Sequence, residues 1–116
     1  MLDKTVLRGK SAFSLIYKKG KSTPDRYLVL FVMKNGFAYN RTAFIASKKV
    51  GKSVARNRAR RLMKESYREI GGKLADGYDL VFIARNTIYG TKCADVKKSM
   101  ENVLKRAGVA KYGSHA

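Results

Sequence analysis

The chain has 116 residues, of which 45% are hydrophobic, and this is enough for one domain with a single core. Its 26 Lys and Arg residues outnumber its 8 Asp and Glu residues, giving a formal net charge of +18, which indicates a nucleic acid or an anionic membrane as partner. The sequence has no apolar run of 18 residues, and this lack excludes a membrane-spanning helix. It also has no signal-peptide pattern. We therefore expect one cytoplasmic domain over residues 1–116.

The N-terminal segment predicts an arm followed by a short helix. Residues 1–8 mix apolar and basic side chains and are expected to form an extended, partly ordered arm. Residues 11–19 fit a helix whose second apolar side carries Phe13 and Tyr17, four residues apart. Aromatic residues at this spacing usually belong to a core, but a helix that is apolar on two sides could also stack on bases. The inward side is predicted to comprise Ala12, Leu15 and Ile16.

Two strands are predicted before the middle of the chain. Residues 21–25 contain the only proline and are predicted to be a loop, whereas residues 27–33 are apolar throughout and predict a strand covered on both faces. Asn35-Gly36 indicates a turn, and residues 41–47 predict a second strand, most simply antiparallel to the first. In the first strand, the helices are expected to cover Leu28, Leu30 and Val32, leaving Tyr27, Val29 and Phe31 on the other face.

Residues 47–68 hold the densest positive charge. A helix is predicted over about residues 54–70, with Ser53 as N-cap and Gly71-Gly72 as its end. Its inward face is predicted to comprise Ala55, Ala59, Leu62, Met63, Ser66 and Ile70, with Tyr67 at the edge. Before the first acid, Glu65, there are eight cations: Lys48, Lys49, Lys52, Arg56, Arg58, Arg60, Arg61 and Lys64. Cations four residues apart repel, and those near a helix N-terminus oppose its dipole, so phosphate is the natural complement.

The C-terminal part predicts a strand, a helix and a tail. Residues 78–85 form the third predicted strand, and residues 91–107 a helix with Thr91 as N-cap and Gly108 beyond its end. Residues 109–116, which hold the only histidine, His115, are expected to be a flexible tail. The final helix is predicted to face inward through Val96, Met100, Val103, Leu104 and Ala107.

Groups that an autonomous nuclease would need are not evident in the sequence. The acids are scattered, and Glu65 and Glu69, the only pair at helical spacing, are interpreted as salt-bridge partners. Residues 48–53 lack Walker A spacing, and the basic helix follows a strand and loop where a helix-turn-helix would need a helix. Cys93 stands alone, which excludes an internal disulfide, and is interpreted as a packing residue.

Three groups of residues resemble the signature of the bacterial ribonuclease P protein component: Lys48-Lys49-Val50-Gly51, Arg56-Asn57-Arg58 and Arg60-Arg61-Leu62. The similarity extends over roughly residues 7–107, although Ala55 and Ala59 stand where bulkier apolar residues are usual. It implies an α+β class, single-domain α/β sandwich with helices on a four-stranded sheet, in the order αβββαβα. It also implies a left-handed βαβ crossover through the basic helix, and a fourth strand around residues 21–23 or 37–40.

The resemblance further implies that a catalytic RNA carries the active centre and that the protein assists removal of the 5′ leader from precursor tRNA. No catalytic residue, cofactor or metal is then expected on the protein, Mg²⁺ is expected on the RNA subunit, and no obligate protein partner is implied. Contacts with the catalytic RNA are expected from Arg56, Asn57, Arg58, Arg60, Arg61, Lys64 and Arg68. The cleft for the single-stranded leader is expected to comprise Phe13, Tyr17, Tyr27, Phe31, Lys48, Lys49 and Lys52.

Two other functions are compatible with the basic helix. A ribosomal protein or RNA chaperone would bind structured RNA without raising cleavage by any RNA enzyme. A helix for anionic membranes or for calmodulin would use the same charge, but residues 48–64 contain few large apolar side chains for that purpose.

Overall fold

A computed structural model describes residues 3–110 of the chain. No helix in this range is long and apolar enough to cross a membrane. Two short 3₁₀ turns, Gly71–Lys73 and Asn86–Ile88, accompany the main elements. These elements are α1 (Lys10–Lys19), β1 (Lys21–Pro24), β2 (Leu28–Lys34), β3 (Arg41–Ile45), α2 (Ser53–Ile70), β4 (Tyr78–Ala84) and α3 (Cys93–Arg106).

The four strands form one sheet in the order β1-β2-β4-β3, which confirms the α+β class and the four strands. The β1–β2 and β2–β4 pairs are antiparallel, whereas β3 and β4 are parallel and are joined through α2 as a βαβ unit. Two predictions were therefore wrong. Lys21–Pro24 is an edge strand and not a loop, and β3 does not pair with β2. The edge strand is the fourth strand, at the first of the two positions that the resemblance implied. The apolar strands β2 and β4 occupy the centre because both of their faces need cover.

The main core lies between one face of the sheet and the helices α2 and α3. Leu28, Leu30 and Val32 are buried there, as predicted from alternation along β2. From α2, the buried residues are Ala59, Met63, Ser66 and Ile70, whereas Ala55 and Leu62 are half-buried. From α3, the buried residues are Val96, Ser99, Met100, Val103 and Leu104, of which Ser99 was not predicted.

The opposite face of the sheet is only partly covered. A smaller core there contains the buried residues Leu7, Ile16 and Val81. Leu15, which was predicted to point inward, is 43% exposed, because α1 packs on the sheet through the buried Ile16 and the half-buried Ala12 and Phe13. The N-terminal arm lies along the outer edge of β3. There the Leu7 N–H donates to the Thr42 carbonyl at 2.9 Å, which satisfies part of an otherwise open strand edge.

The helix caps differ from the predicted ones. The chain enters α2 with Lys52 as N-cap, so Ser53 is already the first helical residue. Lys92 is the N-cap of α3, and its N–H donates to the Asp95 carboxylate at 3.3 Å. The Thr91 hydroxyl instead donates to the Ile88 carbonyl at 2.7 Å and stabilises the preceding turn. The predicted end of α2 at Ile70 is confirmed, although Gly71 continues in a right-handed conformation.

The start of the predicted tail is part of the fold. Val109 is buried, and its carbonyl accepts a hydrogen bond from the Ala75 N–H at 2.8 Å. Ala110 forms an antiparallel bridge with Leu74. The flexible-tail prediction was therefore wrong for residues 109 and 110, while residues 111–116, with His115, lie outside the described range.

A buried ion pair ties β3 to β4. Asp79 is only 2% exposed, and its carboxylate accepts bonds of 2.8 and 2.7 Å from the Nε and Nη2 of Arg41. The Asn35 side chain donates to the same carboxylate at 3.0 Å. The hydrogen bond to Asp79 raises the pKa of the Arg41 guanidinium above its ordinary value. The pair stands at a register position where the two parallel strands face each other, so it helps to fix their alignment.

Removing Arg41 leaves the Asp79 carboxylate buried without its cation. We expect Arg41→Met to lower the free energy of unfolding by about 3 kcal/mol, near the low end for a broken buried pair, because the Arg41 side chain is 27% exposed. Urea denaturation measures this loss. Adding Asp79→Asn should restore part of it, since a neutral amide is easier to bury. Arg68→Met, which breaks an exposed pair with Glu65, is the control and should cost less than about 1 kcal/mol. Equal losses for the two Arg variants would contradict the prediction.

Candidate nucleic-acid interface

The outer face of α2 presents a continuous cationic surface. Because the inner stripe of the helix is buried against the sheet, the remaining positions must point away from the core. Exposed positions on this face are Asn57, Arg61, Lys64 and Arg68, and half-buried ones are Arg56, Arg58 and Arg60. Arg60 donates to the Asn57 side-chain oxygen, so these two residues form a linked pair on the surface.

The nearby acids are occupied by ion pairs, as predicted. Glu65 pairs with Arg68 one turn along α2, and Glu69 pairs with Lys97 of α3 at 3.3 Å. Within residues 3–110, no three His, Cys, Asp or Glu side chains lie close enough together to hold a metal ion.

A basic depression of about 550 Å³ lies at the N-terminus of α2, lined by Lys48, Gly51, Lys52, Ser53 and Arg56. The Arg56 Nη2 donates to the Ser53 hydroxyl at 3.2 Å, while its buried Nε has no partner among the described residues. Gly51 has a φ of 145°, and a Cβ there would lie 2.9 Å from the Ala55 Cβ, so glycine allows the close turn into the helix. The helix N-terminus and three cations make this depression suitable for phosphate.

A second depression of about 510 Å³ lies between α2 and the start of α3. Arg58 at its edge is also structural, because its guanidinium donates to the Thr91 carbonyl at 2.5 Å. The Cys93 Sγ lies 3.8 Å from the Ser66 hydroxyl, in agreement with a packing role. The depression is lined by Arg58, Arg61, Leu62, Lys64, Glu65, Arg68 and Cys93. It thus brings together four of the predicted RNA-binding cations.

An aromatic cluster lies on the open face of the sheet. The ring centroids of Phe13 and Tyr17 are 6.2 Å apart, and Tyr17 meets Phe31 edge to face at 5.1 Å. Tyr17 remains 42% exposed, and partial burial raises the pKa of its phenol. The ring is therefore neutral at physiological pH and does not repel phosphate. The structure thus brings together three of the four predicted aromatic residues of the leader cleft.

Tyr27 does not join this cluster. Because β2 begins at Leu28, the alternation of the strand does not extend to Tyr27, which packs against the main core. Its N–H donates to the Ser99 hydroxyl at 3.4 Å, and the Arg26 guanidinium lies 5.3 Å from its ring centre. The prediction that Tyr27 shares a face with Phe31 was therefore wrong. Lys49 is exposed but does not line the depression that contains Lys48 and Lys52.

The structure adds an apolar row to the open sheet face. Val29, Ile83 and Ile45 are register partners across β2, β4 and β3, and all three are only half-buried. The row ends at Ile45, three residues before Lys48, so the apolar face adjoins the basic turn, residues 48–52, that leads into α2. Alternation within each strand marks these residues, but only the strand order reveals that they form one row.

Comparison with known proteins identifies the family. The family model described as "Ribonuclease P" matches residues 1–108. The chain is 45% identical over 105 residues to the ribonuclease P protein component of Clostridioides difficile (strain 630), covering 90% of this chain and 92% of that protein. It is 46% identical over 104 residues to that of Clostridium botulinum (strain Loch Maree / Type A3), covering 89% and 94%.

Solved structures agree with the sequence matches. The RNase P protein of Staphylococcus aureus superposes with a TM-score of 0.84 at 28% identity, covering 93% of this chain and 99% of that one. The RNase P protein of Thermotoga maritima gives a TM-score of 0.79 at 33% identity, covering 87% and 96%. The chain therefore belongs to the ribonuclease P protein family, and it is a subunit of the ribonucleoprotein endoribonuclease that processes tRNA.

Proposed function

We propose that this protein binds the catalytic RNA of ribonuclease P with α2 and grips the single-stranded 5′ leader of precursor tRNA on its open sheet face. It thereby assists the endonucleolytic cut that gives the mature 5′ end. The observation that carries this proposal is the meeting of two chemically different surfaces at one edge of the sheet. There, the half-buried row from Val29 to Ile45 leads into the basic turn at Lys48.

The surface on α2 suits a folded RNA. Its cations stand on a rigid helix of 18 residues, so they keep fixed spacings that can match phosphates of a structured partner. Arginine can bind a phosphate through two parallel hydrogen bonds, which adds orientation to charge. Arg61 and Lys64 are exposed and line one depression, so they are the side chains most available for such contacts.

The open sheet face suits a strand without base pairs. Tyr17 and the half-buried Phe13 and Phe31 offer aromatic surface, and bases stack on aromatic rings with little regard to sequence. Lys48 and Lys52, at the adjoining end of the sheet, would hold the phosphates where the leader meets the RNA subunit. This arrangement explains how one small protein could favour precursor over mature tRNA.

In this proposal the RNA subunit carries the chemistry of cleavage and binds the Mg²⁺. In this scheme the protein contributes substrate binding and positive charge and no catalytic group. Its cations near the leader reduce phosphate repulsion and so lower the Mg²⁺ concentration that the RNA requires. We place this activity in the cytoplasm, together with the RNA subunit.

Reconstitution tests the proposal. A precursor tRNA with a 5′ leader is incubated at low Mg²⁺ with a bacterial ribonuclease P RNA, with the protein, or with both. We expect rapid release of the leader only when both are present. Cleavage by the protein alone would place an active site on the protein. RNA binding without faster cleavage would favour an RNA chaperone, and binding only to acidic vesicles would favour a membrane partner.

Removing one cation from α2 should weaken binding to the RNA subunit. We expect Arg61→Ala and Lys64→Ala each to reduce affinity and to lower the slope of log K against log salt by about one, the change for one lost phosphate contact. Filter binding over a range of salt concentrations measures both quantities. Lys34→Ala, at the end of β2 and away from α2, removes the same charge and should leave the slope unchanged. Equal effects of all three variants would indicate nonspecific attraction.

Removing one aromatic ring from the open sheet face should weaken only the binding of the leader. We expect Tyr17→Ala to weaken holoenzyme binding of precursor tRNA by roughly tenfold, as for one lost stacked base, and to leave binding of mature tRNA unchanged. Tyr17→Phe keeps the ring and should bind like the original protein. Paired Kd measurements with leader-bearing and leaderless tRNA give the comparison. A parallel loss for both tRNAs would mean that Tyr17 does not contact the leader.

A further inference from the structure

A second apolar surface lies on the α2 side of the molecule. A groove of about 660 Å³ separates the first half of α2 from the loop between β4 and α3. Ala55, Ala59 and Ile88 contribute to the apolar lining, and the small size of the two alanines leaves the groove open. This volume lies within the range of about 300 to 1,000 Å³ that is usual for small-molecule sites.

Two highly exposed apolar side chains line this groove. Val54 on α2 is 80% exposed and Tyr89 on the loop is 72% exposed, more than any other large hydrophobic residue in the described range. Exposing these apolar side chains to water is unfavourable, and both residues lie beside the cationic surface of α2. An exposed apolar patch that is bordered by polar residues indicates a binding site for a partner.

The loop that carries Tyr89 is well ordered. Its 3₁₀ turn is closed by hydrogen bonds from the Ile88 N–H to the Arg85 carbonyl at 3.0 Å and from the Thr91 N–H to the Ile88 carbonyl at 3.1 Å. Gly90 has a φ of 80°, which the turn requires immediately after Tyr89. The bond from Arg58 to the Thr91 carbonyl then ties the loop to α2. The Tyr89 ring is thus presented from a braced turn beside the groove.

Charge identifies the occupant of the groove. Lys52 and Arg58 line it together with the apolar residues, and no acidic side chain does. An apolar peptide would match Val54 and Tyr89 but would leave the two cations without counter-charge. A nucleotide with an unpaired base supplies both a flat ring for Tyr89 and phosphates for Lys52 and Arg58.

We infer that this groove receives an unpaired nucleobase of the ribonuclease P RNA subunit, stacked on Tyr89, with its flanking phosphates near Lys52 and Arg58. The inference rests on the proposed function and adds a contact that is not electrostatic alone. The groove opens beside α2, whereas Phe13, Tyr17 and Phe31 lie on the opposite face of the sheet. The RNA subunit is therefore the occupant, and the bases of the leader lie on the open sheet face. Lys52 lines both this groove and the basic depression, so it stands where the two RNAs meet.

Crosslinking in the assembled holoenzyme identifies the occupant directly. A photoreactive p-benzoylphenylalanine replaces Tyr89, and the adduct is mapped by primer extension. We expect adducts at one or two neighbouring unpaired nucleotides of the RNA subunit. Adducts with the precursor leader, adducts with a second copy of the protein, or no adduct would each overturn the inference. Phe37 is a matched control position, because this exposed aromatic residue precedes β3 and so lies at the other end of the sheet. It should not give the same adduct.

Affinity measurements supply an independent test. We expect Tyr89→Ala to weaken binding to the RNA subunit about tenfold, as for one lost stacked base, without changing the salt slope, because no cation is removed. Tyr89→Phe should retain the original affinity. Ala55→Leu fills the groove and should weaken binding similarly while the protein stays folded. Unchanged affinity in both Tyr89→Ala and Ala55→Leu would overturn the inference.

The two proposals fail in different ways. If the unaltered protein does not bind the RNA subunit or stimulate cleavage, the proposed function is wrong. If it does both, and Tyr89→Ala and Ala55→Leu do so equally well, only the base-binding groove is wrong. Because Tyr89 is largely exposed, its truncation should not unfold the protein, and circular dichroism of the variant checks this.

Discussion

The parallel pairing of β3 with β4 is the constraint on which the interface depends. Parallel neighbours cannot be joined by a tight turn, so the chain must cross the sheet between them, and α2 is that crossover. The crossover starts at the end of β3, which places Lys48, Lys52 and the N-terminus of α2 at one edge of the sheet. The ion pair of Arg41 with the buried Asp79 stabilises this pairing.

The charge of α2 is tolerated because the opposite side of the helix is firmly packed. Met63 and Ile70 are almost fully buried in the main core, and such burial contributes roughly 1.5 to 3 kcal/mol for each large apolar side chain. Repulsion between neighbouring cations costs only a few tenths of a kcal/mol per pair. The core can therefore hold a helix whose outer surface is unfavourable in isolation, and phosphates bound there, as proposed, would relieve that repulsion.

The two faces of the sheet are covered to different extents. One is closed by α2 and α3, while the other is covered only by α1 and the N-terminal arm, which leaves Val29, Ile45 and Ile83 half-buried. A sheet with apolar residues on both faces and helices mainly on one must expose apolar surface. Here that surface adjoins Tyr17 and the basic turn, and this is where we propose that the single-stranded leader binds.

Local patterns along the chain were enough to predict the individual elements. Periodicity predicted α2 to its last residue, Ile70, and alternation assigned Leu28, Leu30 and Val32 to the main core, because these patterns depend only on neighbours in the chain. The excess of cations on α2 likewise indicated a polyanionic partner before any fold was known. Three features became visible only in the folded chain: β4 lies between β2 and β3, Tyr27 packs inward, and Val54 and Tyr89 line one groove. Each of these depends on contacts between distant segments, which local patterns do not encode.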